Sequence, residues 1–308
     1  KNLFETKLYK EAYEKLQPLI KLKDPNALNL IGIMYDFGLG VEQNHIESFN
    51  YYKEASSFGS VKGLYNLALA YDYGEGVKVN KTLAHKLYEQ AANKGSPYGY
   101  YALAQNYYHG NGVKSEINLA LVNFHLAHDQ GVHYALIDIS EIYQKLGQYG
   151  DAEKAILQAM QLEPESKAEN LSSVGNKSNS YLIERKRQLA HIYSAQGRKN
   201  EALPIWKTIL QQNEKYHGVK SEEVAHSMQN LAIAMCSVGF SEKAIEYLNQ
   251  SMSIYKTIYK EDNWYIANSL GNLGHCYHSG TDKENLKIAA NYYLDSIKVF
   301  QDCCDDDL

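Results

Sequence analysis

Histidine clusters are the first candidates for chemistry in this sequence. His125, His128 and His133 lie close together, and His275 and His278 surround a cysteine. Two imidazoles three residues apart can face the same side of a helix and present two ligands to a metal such as zinc. Neither cluster has paired cysteines or an acidic residue placed as a third ligand, so we predict no metal site and no cofactor.

The four cysteines offer thiol chemistry. Cys236, Cys276, Cys303 and Cys304 all lie after residue 235. A thiol becomes a nucleophile when a contacting histidine lowers its pKa, and His226 is one neighbour in sequence. No spacing brings such a pair together, so we predict no catalytic residue and a chain that is not an enzyme. The uneven distribution is not that of a disulfide framework and favours buried, unpaired cysteines in a reducing compartment.

A Gly-x-Gly motif could instead bind phosphate. Gly74-Glu75-Gly76 lies within YDYGEGVKVN, which begins at Tyr71. A phosphate loop needs a preceding strand and a helix whose N-terminal amides point at the anion. Here a helical pattern precedes the glycines, so we interpret the motif as a corner that ends a helix.

The corner belongs to a repeat with a period of 36 residues. YDFGLGVEQN begins at Tyr35 and YYHGNGVKSE at Tyr107. The other aligned positions are Ile31, Leu67 and Leu103; Tyr52, Tyr88 and Phe124; Ala55, Ala91 and Ala127; and Gly59, Gly95 and Gly131. Each unit therefore has two apolar helical stretches, and periods of this length indicate helical hairpins that bury their apolar faces against their neighbours.

These residues resemble Sel1-like repeats over about 27–132. The shared pattern is a small residue, Leu, the Gly-x-Gly-Val corner, and then Ala-x3-Tyr-x2-Ala-Ala-x2-Gly. Departures are Ser48 for the expected Ala of the first unit, and Ser56 and His128 for the second Ala of their pairs.

The second half of the chain changes its period. Residues 133–164 place Tyr, Gly, Ala and Pro as a tetratricopeptide repeat does, and the polar stretch 165–178 is predicted to be a loop or hinge. Beyond it, three similar triplets recur every 42 residues: Gln188-Leu189-Ala190, Asn230-Leu231-Ala232 and Asn272-Leu273-Gly274. Residues 179–301 resemble three of the longer tetratricopeptide repeats of kinesin light chains.

The ends of the sequence differ from complete repeats. Residues 1–26 contain LYKEAYEKLQPLI, which is typical of a second repeat helix, so we predict a partial repeat or cap. Residues 302–308 form an acidic tail. We therefore predict an all-α, right-handed α-solenoid of about seven stacked helical hairpins.

Composition limits the classes of partner. A net charge of −5 with one short basic cluster gives no support to nucleic-acid binding, and no apolar stretch is long enough to span a membrane. We expect a protein or peptide ligand, and the sequence does not predict an oligomeric state. The chain is expected in the cytoplasm or secreted into a host cell, and the sequence leaves open a signal peptide removed before Lys1.

The first helices of such repeats line the concave side of a solenoid. Tyrosine and asparagine there offer rigid contact area and adaptable hydrogen bonds for a peptide, although the same tyrosines could simply pack against the next repeat. The candidates in the first half are Asn29, Tyr65, Asn66, Tyr98, Tyr101, Gln105 and Tyr108. Those in the second half are Arg187, His191, Gln229, Asn230, Asn268 and Asn272.

We therefore expect a non-enzymatic scaffold or adaptor whose concave groove holds a peptide segment of a partner protein. Mixed arrays of this kind resemble bacterial proteins that act on host cells or assemble envelope complexes. A carboxylate clamp of the kind found in tetratricopeptide domains would need more cations than Arg187 provides. The alternatives are a peptide-signal receptor, a cargo adaptor, a regulatory subunit of an enzyme complex, and an enzyme with a cluster of titratable groups.

Overall fold

The computed structural model describes residues 3–162, 175–259, 263–278 and 283–304, which form fifteen α-helices and no strand. In chain order they are α1 (Leu3–Lys21), α2 (Pro25–Phe37), α3 (His45–Ser57), α4 (Val61–Tyr73), α5 (Lys81–Asn93), α6 (Pro97–His109), α7 (Ile117–Asp129), α8 (Ala135–Lys145), α9 (Tyr149–Leu162), α10 (Gly175–Ala195), α11 (Lys199–His217), α12 (Glu222–Cys236), α13 (Ser241–Tyr259), α14 (Trp264–His278) and α15 (Lys283–Cys304). None of the helices described is long and apolar enough to cross a lipid bilayer.

The chain divides into two compact units, Lys1–Ile142 and Tyr143–Leu308, here called unit 1 and unit 2. In unit 1 the hairpins α2–α3, α4–α5 and α6–α7 follow one another, and in unit 2 the hairpins are α10–α11, α12–α13 and α14–α15. Consecutive helices pack together within each unit, which confirms the predicted all-α solenoid architecture of stacked hairpins.

The hairpin α4–α5 shows how local sequence fixes each unit. Ser60 Oγ accepts a hydrogen bond from the backbone N–H of Gly63 at 3.0 Å, which caps the start of α4. The helix ends at Gly74, whose φ of 80° lies in the left-handed region that favours glycine. Asn80 Oδ1 then accepts from the N–H of Leu83 at 3.0 Å and starts α5. The glycine corner is therefore a helix terminus, as predicted.

The second glycine of the corner lies against the preceding hairpin. A Cβ placed on Gly76 would lie 2.0 Å from the carbonyl oxygen of His45, and one placed on Gly112 would lie 2.2 Å from that of Lys81. Both contacted residues begin the second helix of the previous repeat. The Gly-x-Gly corner therefore also sets how closely successive hairpins stack.

The core of unit 1 is thin and uses tyrosine as its largest buried side chain. Ala68, Ala84 and Ala91 are fully buried and Tyr88 is almost so. The hydroxyl of Tyr88 still reaches the polar surface and donates to Asp72 Oδ2 at 3.1 Å. An apolar ring with a polar tip suits a core only two helices deep, which explains why the chain has 27 Tyr and 7 Phe.

Unit 2 has a larger aliphatic core across its hairpins. Trp206, Leu231, Leu248 and Leu273 are buried together and come from four different helices. This burial matches the apolar stripes that the 42-residue register predicts.

Two of the cysteines correct the expectation of unpaired thiols. Cys236 and Cys276 form a disulfide with their Cα atoms 5.4 Å apart, joining the ends of α12 and α14. Both side chains are buried, as expected, but the prediction that they remain free is wrong for this pair. The sequence did not show the pairing because the two residues are 40 positions apart and meet only when neighbouring hairpins stack.

Three segment boundaries can be compared with the prediction. Helix α1 is a single helix before the first hairpin, and α10 begins at Gly175, so residues 175–178 of the predicted loop are helical. Residues 163–174 lie outside the described residues, as do 305–308 of the predicted acidic tail, whose first residues end α15.

Candidate functional site

First helices of successive hairpins in unit 1 are joined by polar side chains. Asn66 Nδ2 on α4 donates to Asn29 Oδ1 on α2 at 2.8 Å. Asn29 is only 3% exposed, so this amide is committed to the contact between hairpins. The structure brings this predicted pair together, while its contact with a partner stays a prediction.

Asp138 on α8 is the centre of a second polar contact. Its carboxylate accepts from the hydroxyl of Tyr101 at 3.0 Å and from Gln105 Nε2 at 2.9 Å. Gln105 Nε2 also lies 3.0 Å from the Tyr101 hydroxyl, so the three groups form a closed network. Two predicted residues thus meet at an acid that the sequence analysis did not select.

The spacing of residues in the sequence could have identified Asp138 as the partner of Tyr101. Asp138 follows Tyr101 by 37 residues, which is also the separation between Asn29 and Asn66. One repeat period plus one residue is therefore the spacing at which these first helices meet. The hydroxyl of Tyr108 donates to Glu141 Oε1 at 2.7 Å. These two residues are 33 positions apart in the sequence, as are Gln105 and Asp138.

The Asp138 carboxylate has no basic partner within the part of the chain that the structure describes. Burial raises the pKa of Asp138 to about 6, the hydrogen bonds from Tyr101 and Gln105 lower it, and the negative charge of Glu141 raises it. A partly buried carboxylate without an ion pair is costly to keep in a fold and is a common feature of binding sites.

Four tyrosines in this part of unit 1 are here called the tyrosine cluster: Tyr65, Tyr98, Tyr101 and Tyr134. The ring centroids of Tyr65 and Tyr98 lie 6.0 Å apart, and those of Tyr101 and Tyr134 lie 4.7 Å apart. Tyr98 is 53% exposed and Tyr134 is 40% exposed. Within the described residues, the hydroxyls of Tyr65, Tyr98 and Tyr134 make no hydrogen bond. Aromatic faces and free hydroxyls are therefore available on this face.

Burial is the main influence on the pKa values of the tyrosine cluster. Burial raises the pKa of Tyr65 to about 12, with Tyr134 as the next cause. Burial is also the main cause that raises the pKa of Tyr134, and Tyr98 and Asp138 are the next causes. Because a raised pKa keeps these phenols neutral at pH 7, the negative charges here are those of Asp138 and Glu141, which favour a positively charged ligand.

In unit 2 the most buried predicted residue is again a link between hairpins. Gln229 is 2% exposed, and its Nε2 donates to Ser269 Oγ at 2.5 Å, joining α12 to α14. Asn230 and Asn268 are half-buried on the same two helices. Asn272 Nδ2 is buried and, among the described residues, has no hydrogen-bond partner. Contact of these asparagines with a peptide stays a prediction.

Arg187 supplies the fixed positive charge among the predicted residues of unit 2. Its Nη1 lies 2.7 Å from Glu184 Oε2, so this charge is already paired. His191 is exposed as a residue, but its ring packs edge-on against Trp206 at 4.9 Å. Burial of the ring is the main cause that lowers the pKa of His191, and the positive charge of Arg187 lowers it further. The same two causes lower the pKa of His226. Both imidazoles are thus neutral at pH 7, which disfavours a carboxylate clamp.

A cleft of about 480 Å³ in unit 2 is bounded by α11, α12 and α13. Its lining residues are Lys207, Leu210, Gln211, Glu214, Leu231, Met235, Phe240, Lys243 and Tyr247. None of the predicted site residues is among them. The candidate face of unit 2 therefore does not coincide with this cleft.

One group of possible metal ligands is present among the described residues. Ligand atoms of Asp36, His45 and Glu75 lie within 4.8 Å of one another, and His45 Nδ1 lies 2.9 Å from Asp36 Oδ1. One repeat later Lys81 takes the place of His45 and contacts Asp72 Oδ1 at 2.7 Å. Because lysine is not a usual metal ligand, the position is better explained as a polar contact with the aspartate of the first helix.

The histidines selected from the sequence form a different arrangement. His128 Nδ1 and His133 Nδ1 lie 3.4 Å apart, and their rings meet edge-on. Burial lowers the pKa of His128, with His133 as the second cause.

Comparison with protein families identifies two kinds of repeat in the chain. Sel1 repeats match residues 25–59, 61–96, 97–132 and 267–294, and a tetratricopeptide repeat match covers 182–257. The two predicted resemblances are confirmed. No curated protein matches the chain in a sequence comparison.

The fourth Sel1 match lies in the part assigned to longer tetratricopeptide repeats. A Cβ on Gly274 would lie 2.8 Å from the ring of Tyr293, and one on Gly32 would lie 2.6 Å from the ring of Tyr52. In both hairpins a glycine of the first helix thus receives a tyrosine ring of the second. This shared contact gives a physical reason for the match.

Solved structures show the same architecture. A Sel1 repeat protein from Oxalobacter formigenes is 23% identical with a TM-score of 0.55, over 81% of this chain and 93% of that one. A protective antigen of uropathogenic Escherichia coli with an SLR fold is 15% identical with a TM-score of 0.52, over 95% and 72%. A putative kinesin light chain from Podosopora anserina with nearly identical TPR-like repeats is 17% identical with a TM-score of 0.42, over 79% and 95%. At these identities the first two structures establish the fold alone.

Proposed function

We propose that this chain, which carries Sel1 repeats and tetratricopeptide repeats, is a non-enzymatic scaffold that binds an extended peptide segment of a partner protein on the first-helix face of unit 1. Repeat folds of this kind generally serve protein–protein interaction. The carrying observation is the tyrosine cluster, in which Tyr101 donates to a carboxylate without a basic partner in the described chain and the exposed Tyr134 packs against Tyr101.

The chemistry of this face suits a peptide. Exposed tyrosines supply rigid contact area at a low cost in conformational entropy, and tyrosine is frequent where interfaces carry most of their binding energy. Gln105 and Asp138 add hydrogen-bonding groups that are held in place by Tyr101. A preorganised polar group loses less entropy on binding than a mobile one.

A peptide selection tests the proposal. We would immobilise the full chain, select binders from a phage-displayed random dodecapeptide library, and measure affinities of synthetic winners by fluorescence anisotropy. The double variant Tyr98→Ala/Tyr134→Ala should lose these peptides. The matched control Tyr181→Ala removes an exposed tyrosine of unit 2 and should retain them.

Two outcomes of this selection would contradict the proposal. If the library yields no binder to the wild-type chain, peptide recognition is wrong. If the binders tolerate the double variant, recognition lies on another surface, and the first-helix face of unit 1 is excluded.

The wider roles stay predictions. A peptide-signal receptor or a regulatory subunit would use the same kind of contact, and a bacterial protein acting on host or envelope complexes is one setting for it. Isolating a natural partner with the wild-type chain, and losing it with the double variant, would connect the face to one of these settings.

A further inference from the structure

The Asp138 carboxylate lies on the first-helix face of unit 1 and has no basic partner among the described residues. Each of its oxygens accepts one hydrogen bond from within the chain, and each can accept more. No lysine, arginine or histidine of the described chain pairs with it. An ionised, partly buried carboxylate of this kind is stabilised most by an incoming cation.

The aromatic surroundings reinforce that preference. Tyr101 contributes its hydroxyl to Asp138, and its ring meets Tyr134 edge-on at an interplanar angle of 74°. Tyr98 and Tyr134 expose about half of their surface, and Tyr65 lies next to Tyr98. The face of an aromatic ring attracts a cation, and Tyr101, with Tyr134 packed against it, lies next to this carboxylate.

We propose that the tyrosine cluster and Asp138 recognise a basic side chain of the partner peptide, arginine in preference to lysine. The proposal rests on the proposed function, because it names the chemistry that the peptide must carry. Arginine is preferred since its planar guanidinium can donate to both carboxylate oxygens while it stacks on a tyrosine ring.

Other side chains fit this surface less well. An acidic side chain would meet the negative charges of Asp138 and Glu141, which already act on each other. An apolar side chain would displace water from the carboxylate and would offer no hydrogen bond in its place. A neutral amide could bond to Asp138 but would gain nothing from the charge.

The test compares arginine with a neutral group of the same shape. The peptides selected above would be resynthesised with citrulline, and separately with lysine, at each arginine position, and titrated against the full chain. Citrulline at one position should weaken binding at least about tenfold, and lysine by a smaller factor.

Variants locate the effect at the proposed residues. Asp138→Asn should bind the arginine peptide and the citrulline peptide with nearly equal affinity. Tyr98→Ala should weaken the arginine peptide about threefold to tenfold and the citrulline peptide less. Tyr181→Ala should leave both affinities unchanged, and thermal unfolding followed by circular dichroism would verify that each variant is folded.

The outcomes separate this inference from the proposed function. If selected peptides bind unit 1 but lack a basic residue, or tolerate citrulline everywhere, the inference is overturned and peptide binding stands. If no peptide binds, both are overturned. The comparison of arginine with citrulline uses the wild-type chain, so it remains decisive even if Asp138→Asn fails to fold.

Discussion

The hydroxyl of Tyr101 donates to Asp138 Oδ2 at 3.0 Å, and this bond joins two first helices while it holds a carboxylate that has no basic partner among the described residues. The same side chain therefore contributes to stacking and to the proposed recognition site. The protonation of Asp138 can be measured without knowing any ligand.

Protonation of Asp138 should make stability depend on pH in a defined direction. Burial raises the pKa of Asp138 from 3.8 to about 6, so between these values the folded chain holds a proton that the unfolded chain has lost. The free energy of unfolding should therefore fall as the pH rises from about 4 to about 6. Allowing for partial exposure of the carboxyl, the loss should be about 2 kcal/mol.

Asp138→Asn isolates this contribution. Urea unfolding at pH 4, 5, 6 and 7 should show that the wild type loses stability relative to the variant as the pH rises. Histidines with lowered pKa, such as His85 and His128, act in the opposite direction and are common to both chains. Parallel curves for the two proteins would contradict a raised pKa at Asp138.

The second glycine of the corner should be more sensitive than other glycines with positive φ. Gly76→Ala adds a Cβ 2.0 Å from the carbonyl oxygen of His45 at a φ of 71°, so it combines strain with a backbone collision. We expect a loss of more than about 2 kcal/mol in chemical denaturation.

Gly95→Ala is the matched control for that substitution. Its φ is 80°, but nothing lies within 4 Å of the added Cβ. It should cost only the strain of a left-handed residue, about 1 kcal/mol. Equal losses for the two variants would show that the corner does not set the stacking of hairpins.

Reduction of the disulfide should destabilise unit 2. Cys236 and Cys276 close a loop of 40 residues, which in the chain-entropy account stabilises the fold by about 4 kcal/mol. The melting temperature should fall with dithiothreitol or in Cys236→Ser/Cys276→Ser. A variant without Cys303 and Cys304 should keep its sensitivity to the reductant.

Thiol counting provides an independent measurement of the same bond. In a variant without Cys303 and Cys304, the denatured but unreduced chain should present no reactive thiol, because Cys236 and Cys276 are bonded to each other. Two reactive thiols, together with no response to dithiothreitol, would contradict the disulfide.

Gln229 should behave as a structural residue. Gln229→Ala removes the buried bond to Ser269 and should cost about 1–3 kcal/mol. The neighbouring substitution Asn230→Ala, at a half-buried position on the same helix, should change stability by less than about 0.5 kcal/mol. If the order is reversed in thermal unfolding, the assignment of these two residues is wrong.

The candidate site was predictable in part. The repeat register selected Tyr65, Tyr98 and Tyr101 because an exposed stripe on a helix follows from its 3.6-residue period. It did not select Asp138 or Tyr134, which lie after the last Gly-x-Gly corner, where the 36-residue pattern fades. It also could not show that Asn29 and Gln229 turn toward neighbouring hairpins.

The sequence by itself determined the helical hairpins, their order and their glycine corners. These features depend on residues close together in the chain, where helix period, capping side chains and positive φ act locally. Only the tertiary structure decided which side chains meet at separations of 33, 37 and 40 residues: Gln105 with Asp138, Tyr101 with Asp138, and Cys236 with Cys276. Those contacts depend on the distance and angle at which one hairpin packs on the next, and a repeat period specifies neither.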